Sequence, residues 1–296
     1  MPPWEKITLV GVGLLGGSLG LAIKERRLAG QVVGYVRRTA SIGECERLGV
    51  VDTADTDVRR AVEKADLILL CTPIALMAGL TTEMLPALRP GSIVTDVGSV
   101  KASVVNELEP LVTSAGAHFI GSHPMAGAEK AGVASARSHL FDGAICAITP
   151  TARSDPAAVA RLEEFWKSLG TRPLRLPPEL HDDLVSRSSH LPHVVASELA
   201  NYVLSPVHPK EQGMLCANGF RDTTRIASGS PEMWRDICLA NRKHLGRVLG
   251  VFIEDLQEFQ LALDHQDLKG IEEFFRQAKE RRDAWCAQSS SSPSPE

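Results

Sequence analysis

The sequence lacks several features that would place it in other classes of protein. No apolar run approaches the roughly 20 residues that cross a membrane. The net charge of −4 over 296 residues provides no basic field for nucleic acid. The first residues lead directly into a strand pattern, without the features of a signal peptide. We therefore expect a cytoplasmic globular protein with neither membrane nor nucleic acid among its partners.

The sequence also lacks motifs for disulfides or metal. None of its six cysteines forms a C-x-x-C pair, and Cys71 and Cys146 lie in apolar, strand-like runs. Reduced, mostly buried thiols are the expectation for such a pattern. His190 and His193 are three residues apart but have no cysteine motif or carboxylate nearby, so we expect no metal site.

A glycine-rich turn near the N-terminus is the most informative stretch that is present. Gly11, Gly13 and Gly16 form G-x-G-x-x-G between a predicted strand and a predicted helix. This arrangement is typical of dinucleotide binding: the glycines permit a tight turn, close approach of the pyrophosphate and close helix packing. The predicted helix covers Leu19–Glu25, and its free N–H groups would face the phosphates. Leu14 and Leu15, within the turn, are further expected cofactor contacts.

The next strand predicts which dinucleotide is used. About 20 residues beyond the last glycine, an acidic residue normally binds the adenosine ribose, but this chain has Val36 there. Arg37, Arg38 and Thr39 follow at once, and arginines can grip a 2′-phosphate through paired hydrogen bonds. We predict NADP as the preferred cofactor, with NAD possible. A solvated loop is the alternative interpretation of these arginines.

Strand and helix patterns alternate up to Pro177, after which only helix patterns occur. The predicted fold class is α/β: a doubly wound, mainly parallel Rossmann-type sheet followed by an all-α region. We predict a dinucleotide-binding domain at 1–177, a helical substrate and dimerisation domain at 178–287, and a disordered tail at 288–296. The helices carry more apolar surface than about a hundred residues bury alone, so we expect a homodimer through the helical domain.

Polar residues follow several predicted strands, where ligands bind in such sheets. They are Thr72 with Pro73, Ser99 and His123. His123 can accept a proton from a hydroxyl near neutral pH, and Ser99 could orient it. A loop histidine with a purely structural role is the alternative for His123.

The helical region offers further candidates. Arg225 lies in a cluster with another arginine and an acid, where it could hold a substrate carboxylate or form a surface ion pair. The remaining histidines have no obvious partner in the sequence, and we expect structural or solvent-exposed roles for them. They are His118, His139, His181, His208, His244 and His265.

Six motifs, in order and over both regions, resemble those of prephenate and arogenate dehydrogenases, enzymes of the tyrosine pathway. The motifs lie at 11–18, 71–73, 95–101, 121–127, 189–193 and 220–226. The most specific are Gly-Ser-His-Pro-Met-Ala-Gly at 121–127 and His-Leu-Pro-His at 190–193.

The resemblance implies oxidative decarboxylation of prephenate to 4-hydroxyphenylpyruvate, or of arogenate to tyrosine, with hydride transfer to NADP or NAD. It implies that His123 takes the proton of the ring hydroxyl and that Ser99 positions His123 and the nicotinamide. It also implies that Arg225 binds a substrate carboxylate and that His193 contacts the substrate. Further substrate contacts are expected at Ser122, Glu129 and Trp234.

The sequence leaves alternatives open for the substrate and for the class of protein. His193 as a donor to a keto acid favours prephenate, whereas NADP use favours arogenate, and no residue decides between them. A 3-hydroxyacid dehydrogenase or an imine reductase would share this architecture, although the hydroxyacid enzymes favour a catalytic lysine where this chain has His190 and His193. A non-catalytic dinucleotide-sensing regulator would be expected to lack His123 or Arg225.

Overall fold

The computed structural model describes residues 2–127 and 132–290, with only the backbone of residues 289 and 290. The chain packs as two compact units, Met1–Arg242 and Lys243–Glu296. The strands are β1 (Trp4–Val10), β2 (Ala29–Tyr35), β3 (Thr53–Asp55), β4 (Leu67–Leu70), β5 (Ile93–Asp96), β6 (His118–Phe119), β7 (Gly121–Pro124), β8 (Ile145–Thr149) and β9 (Arg172–Arg175).

The first sheet confirms the predicted fold class. It has six parallel strands in the order β3-β2-β1-β4-β5-β6, the doubly wound order. Strand β4 is apolar throughout because both faces of the sheet are covered: Leu67 and Leu69 pack in one core, Ile68 and Leu70 in the other. The carboxyl ends of β1 and β4 meet where the strand order reverses.

A second sheet was not predicted. The sequence suggested one continuing sheet, but the chain leaves it after β6 and forms a separate three-stranded sheet in the order β7-β8-β9. Strands β7 and β8 are antiparallel, and β8 and β9 are parallel. Strand β7 is tied to the end of β5 by hydrogen bonds from Ser122 to Asp96, which places His123 beside the first sheet.

Six helices accompany the sheets. They are α1 (Leu14–Glu25), α2 (Ala40–Arg47), α3 (Val58–Val62), α4 (Ile74–Met84), α5 (Ala102–Ser114) and α6 (Pro156–Ser168). Helix α6 begins at Pro156 because the Asp155 side chain accepts the N–H of Ala158 and the proline favours the first turn.

Only helices follow β9 in the described part of the chain. They are α7 (Pro178–Val185), α8 (Leu191–Val203), α9 (Glu211–Met214), α10 (Asn218–Thr224), α11 (Pro231–Ala240), α12 (Arg242–Asp264) and α13 (Leu268–Ser290). Two of the junctions between these helices are short. A π-helical turn, Ser186–His190, separates α7 from α8, and Asn241 separates α11 from α12.

The second unit consists of α13 and nearly all of α12. Phe259 of α12 contacts Phe274 and Phe275 of α13, with ring centroids 4.5 and 5.8 Å apart. Helix α13 continues to Ser290, so three residues that we assigned to the tail are helical; residues 291–296 lie outside the described chain.

The described residues contain no helix long and apolar enough to span a bilayer. No disulfide bond joins any of the six cysteines, all of which lie in the described residues. Burial raises the pKa of the Cys45, Cys71 and Cys146 thiols, which disfavours their reactive thiolate form. Across residues 2–127 and 132–290, no three histidine, cysteine or acidic side chains are grouped as metal ligands would be.

Candidate active site

The glycine-rich turn lies at the reversal point of the first sheet. Gly11 has φ +102°, and a Cβ there would meet the Thr72 side chain and the main chain of Cys71. A Cβ on Gly16 would lie 2.0 Å from the carbonyl oxygen of Gly11. By contrast, a Cβ on Gly13 would have no neighbour within 4 Å, so open space lies over this position. This is the geometry that a dinucleotide fingerprint requires.

Two further observations fit the phosphates of a dinucleotide. Helix α1 begins at Leu14 and no side chain caps it, so the N–H groups of its first turn, including Leu14 and Leu15, are available to an anion. The buried hydroxyl of Thr72, just after β4 and before Pro73, has no hydrogen-bond partner within the described chain. The residues at this edge therefore fit a bound dinucleotide.

The end of β2 lacks an acidic residue in the structure as in the sequence. Val36 is 5% exposed and packs in the core, so it presents no polar group. Arg37, Arg38 and Thr39 are exposed directly before α2, and the Thr39 hydroxyl does not cap that helix.

His123 has a partner that the sequence did not suggest. His123 lies on β7 and is 8% exposed. Its Nδ1 lies 2.9 Å from Nε2 of His181 on α7. His181 in turn places Nδ1 2.8 Å from a carboxylate oxygen of Asp182. The Asp182 carboxylate accepts the main-chain N–H groups of Lys101 and Ala102, at 2.7 and 2.9 Å. Asp182 thereby caps α5, which has no cap of its own.

A buried ion pair lies beneath this chain of hydrogen bonds. Lys101 and Asp96 are both fully buried and paired, and Lys101 Nζ also donates to the carbonyl oxygen of Ser122. The Ser122 hydroxyl is engaged with Thr95 and the Asp96 carbonyl. This network fixes the strand that carries His123, because removing one member would leave a buried charge or polar group unpaired.

His123 is held in its neutral form. Burial, followed by the nearby His181, Lys101 and His190, keeps the pKa of His123 well below its usual value of 6.5. Desolvation disfavours the imidazolium, and a cationic Lys101 disfavours it further. At neutral pH the ring can therefore accept a proton.

A second group of candidates lies on the helices of the first unit. The rings of His193 and Trp234 are stacked, with centroids 3.7 Å apart, and His190 meets Trp234 edge-on at 6.1 Å. Burial lowers the pKa of His190 to about 4 and also lowers the pKa of His193. Arg225 is exposed on a short 3₁₀ turn, Arg225–Ser228, that packs against α8. That turn ends at Gly229, where a Cβ would lie 2.6 Å from Nε1 of Trp234.

The π-helical turn aligns part of this group. By inserting one extra residue per turn, it rotates α8 relative to α7, and such turns often occur at functional sites. It presents His190 to Asn241, whose amide nitrogen bonds both His190 Nδ1 and the carbonyl oxygen of Asp182. Asn241 thus joins the histidine of the π-helical turn to the residue that caps α5.

Not every candidate has the contact that the sequence suggested. Ser99 is half-buried and its main chain contacts His190, whereas the hydrogen-bond partner of His123 Nδ1 is His181. The role of Ser99 stays a prediction. His181 is buried and has two partners, His123 and Asp182, that the sequence did not reveal. The Ser122 hydroxyl is hydrogen-bonded within the protein, so a substrate contact at this residue stays a prediction. Glu129 lies outside the described residues.

Comparisons with known proteins identify the family of the chain. The family model described as prephenate dehydrogenase, nucleotide-binding domain, matches residues 19–174. The model described as prephenate dehydrogenase, dimerization domain, matches residues 177–277.

Relatives extend over nearly the whole chain. Prephenate dehydrogenase of Bacillus subtilis is 33% identical over 94% of this chain and 76% of its own length. Cyclohexadienyl dehydrogenase of Zymomonas mobilis is 34% identical, over 95% of this chain and 96% of its own. A crystal structure of prephenate dehydrogenase from A. aeolicus with hydroxyphenyl propionate and NAD+ superposes with a TM-score of 0.88 at 29% identity, covering 95% of this chain and 98% of that one.

Proposed function

Because the chain belongs to the prephenate dehydrogenase family, we propose that it catalyses the oxidative decarboxylation of prephenate to 4-hydroxyphenylpyruvate. The observation that carries the proposal is the neutral, buried His123 on a strand tied to the end of β5, in the sheet whose carboxyl edge carries the glycine-rich turn. A hydride-transfer reaction on an alcohol needs both: a cradle for the dinucleotide and a base for the hydroxyl proton.

His123 supplies the base. The proton of the ring hydroxyl passes to His123 while hydride leaves the same carbon, and the bond to the ring carboxylate breaks to release carbon dioxide. Because the ring becomes aromatic, the chemistry is strongly downhill and the protein mainly positions groups. A buried imidazolium is unfavourable, so His123 returns the proton to the phenolic oxygen. No net proton is then released.

A nicotinamide dinucleotide, when bound, would supply the hydride acceptor. The turn at Gly11, Gly13 and Gly16, the first N–H groups of α1 and the Thr72 hydroxyl would hold its phosphates. NADP is the preferred cofactor in this proposal, because Val36 offers no acceptor to the ribose while Arg37 and Arg38 are free to face a 2′-phosphate.

Arg225 binds the carboxylate of the substrate side chain, and His193 and Trp234 form a wall against the substrate. Arg225 should not hold the ring carboxylate, because tight binding of that group would oppose its departure. Glu129 stays a prediction as a further substrate contact, and Ser99 as a catalytic residue. Arogenate is the second candidate substrate, and its amine in place of the keto group distinguishes the two.

The active form is proposed to be a homodimer built through the helical domain, residues 178–287. Between α8 and α10 three apolar residues are strongly exposed: Val207 at 86%, Met214 at 83% and Leu215 at 80%. Apolar exposure on this scale marks an interaction surface. Light scattering after size exclusion should give about twice the chain mass of 31.9 kDa, and Met214→Asp should lower it toward the single chain.

One assay tests the activity. The absorbance of reduced nicotinamide is followed with prephenate and with arogenate, each with NAD and with NADP, and carbon dioxide is collected. We expect the fastest rise with prephenate and NADP, and one carbon dioxide per reduced cofactor. Reduced cofactor without carbon dioxide would indicate a hydroxyacid dehydrogenase. No reduction with any pair, despite cofactor binding, would support the non-catalytic regulator and overturn the proposal.

A further inference from the structure

A chain of hydrogen bonds connects the proposed base to the first turn of a helix 13 residues long. It runs from Nδ1 of His123 to His181, from His181 to the Asp182 carboxylate, and from there to the main-chain N–H groups of Lys101 and Ala102 at the start of α5. His181 and Asp182 are 1% exposed, so water does not compete for these bonds.

The helix end determines the direction of every bond in the chain. Main-chain N–H groups can only donate, so the Asp182 oxygens must accept, which an ionised carboxylate does. The positive end of the α5 dipole favours that ionised form. The carboxylate can in turn only accept from His181, so Nδ1 of His181 carries a proton. In a neutral ring, Nε2 of His181 is then an acceptor.

The same reasoning determines which ring nitrogen of His123 carries the proton. With an acceptor 2.9 Å away, Nδ1 of His123 must carry the proton, and its Nε2 keeps the lone pair. The opposite tautomer would set the lone pair of His181 Nδ1 against the carboxylate at 2.8 Å. A doubly protonated His181 would also reverse His123, but it would place an additional cation on a side chain that is 1% exposed.

We propose that His181 and Asp182 are positioning residues that hold His123 with its proton on Nδ1 and its lone pair on Nε2, directed to the substrate hydroxyl. The proposal rests on the proposed function, in which His123 accepts the hydroxyl proton. When Nε2 takes that proton, His123 becomes an imidazolium whose Nδ1–H remains bonded to His181. The nearby Asp182 carboxylate then stabilises the charge through His181.

The direct test reads the tautomer in the unaltered protein. The protein is labelled with ¹⁵N-histidine. The His123 signals are assigned by their loss in the His123→Asn variant, and the protonation of each ring nitrogen is determined by NMR at pH 8. We expect a protonated Nδ1 and an unprotonated Nε2 for His123, and the same tautomer for His181. Protonated Nε2 on His123, with or without a doubly protonated His181, would overturn the proposal.

Kinetics of a variant provide a second test. His181→Phe keeps a ring of similar size and removes the acceptor, so His123 is no longer held in one tautomer. We expect kcat to fall about ten- to a hundred-fold, less than on loss of the base itself, with KM changed by no more than about twofold. His118→Phe, the same substitution at a half-buried histidine on β6, is the control and should leave kcat unchanged.

The two tests separate this proposal from the proposed function. If His123→Asn turns over normally while the NMR tautomer is as stated, the proposed role of His123 fails and the hydrogen-bond direction stands. If His123→Asn is inactive but His181→Phe retains full kcat with cofactor binding intact, His181 is merely structural and the positioning proposal fails alone.

Discussion

Water reaches the two groups of candidate residues to very different extents. The buried group, His123, His181 and Asp182, is bonded internally and tied to the end of a helix. The accessible group, His193, Arg225 and Trp234, is half-buried or exposed. A dry, fixed arrangement suits proton transfer, since it needs no reorganisation during reaction. An accessible arginine suits the capture of a charged substrate from water. The comparison therefore predicts that changes in the buried group lower kcat and changes in the accessible group raise KM.

Replacement of the base should have the largest effect. His123→Asn removes the proton acceptor, and we expect kcat to fall about 10²- to 10⁴-fold. Cofactor affinity, measured by titration of protein fluorescence, should be unchanged, because no predicted cofactor contact is altered. Retained turnover would remove His123 as the base and abolish the distinction between the two groups.

Replacement of the substrate arginine should have a smaller effect of a different kind. Arg225→Ala removes a charge-assisted bond to a carboxylate, so we expect KM to rise about ten- to a hundred-fold with kcat changed far less. Steady-state kinetics over a wide range of substrate concentration give both constants. Arg221→Ala, at an exposed arginine one turn earlier, is the matched control. A fall in kcat with KM unchanged would contradict this, because Arg225 would then have the kinetic effect expected of the buried group.

The cofactor loop should give the smallest effect, confined to one dinucleotide. Replacing Arg37 and Arg38 together by Ala should raise KM for NADP about tenfold and leave KM for NAD unchanged, because only NADP carries the 2′-phosphate. Equal changes in KM for NADP and for NAD would mean that the arginines do not bind that phosphate. Val36→Asp should shift preference toward NAD.

Local patterns predicted the strand, the tight turn and the helix around the glycine-rich motif because the physics of these elements is local. Gly11, Gly13 and Gly16 lie close together in sequence, so their spacing alone indicates all three elements, although the helix begins at Leu14 rather than at Leu19. The apolar run of β4 likewise revealed a strand buried on both faces. The fold class could be predicted for the same reason.

The hydrogen bonds of the proposed base could not be predicted in this way. His123 and His181 are 58 residues apart in sequence and meet only because α7 packs against α5. The available signal was the adjacent pair His181 and Asp182, which comes three residues after Pro178, where strands give way to helices. Without a tertiary partner they resemble an ordinary solvated helix start. The separate β7-β8-β9 sheet was missed because strand patterns do not specify which sheet a strand joins.

The dependence of kcat/KM on pH tests the central claim most directly, namely that a dry, neutral imidazole is the base. The groups that face His123 are His181, Lys101 and His190, with Asp182 and Asp96 behind them. Because burial holds the pKa of His123 well below 6.5, the neutral ring persists as pH falls. We expect kcat/KM to stay level from pH 8 through 6.5 and to fall only at lower pH, with activity recovered on return to pH 8. A tenfold fall per pH unit that begins above pH 7 would contradict the account.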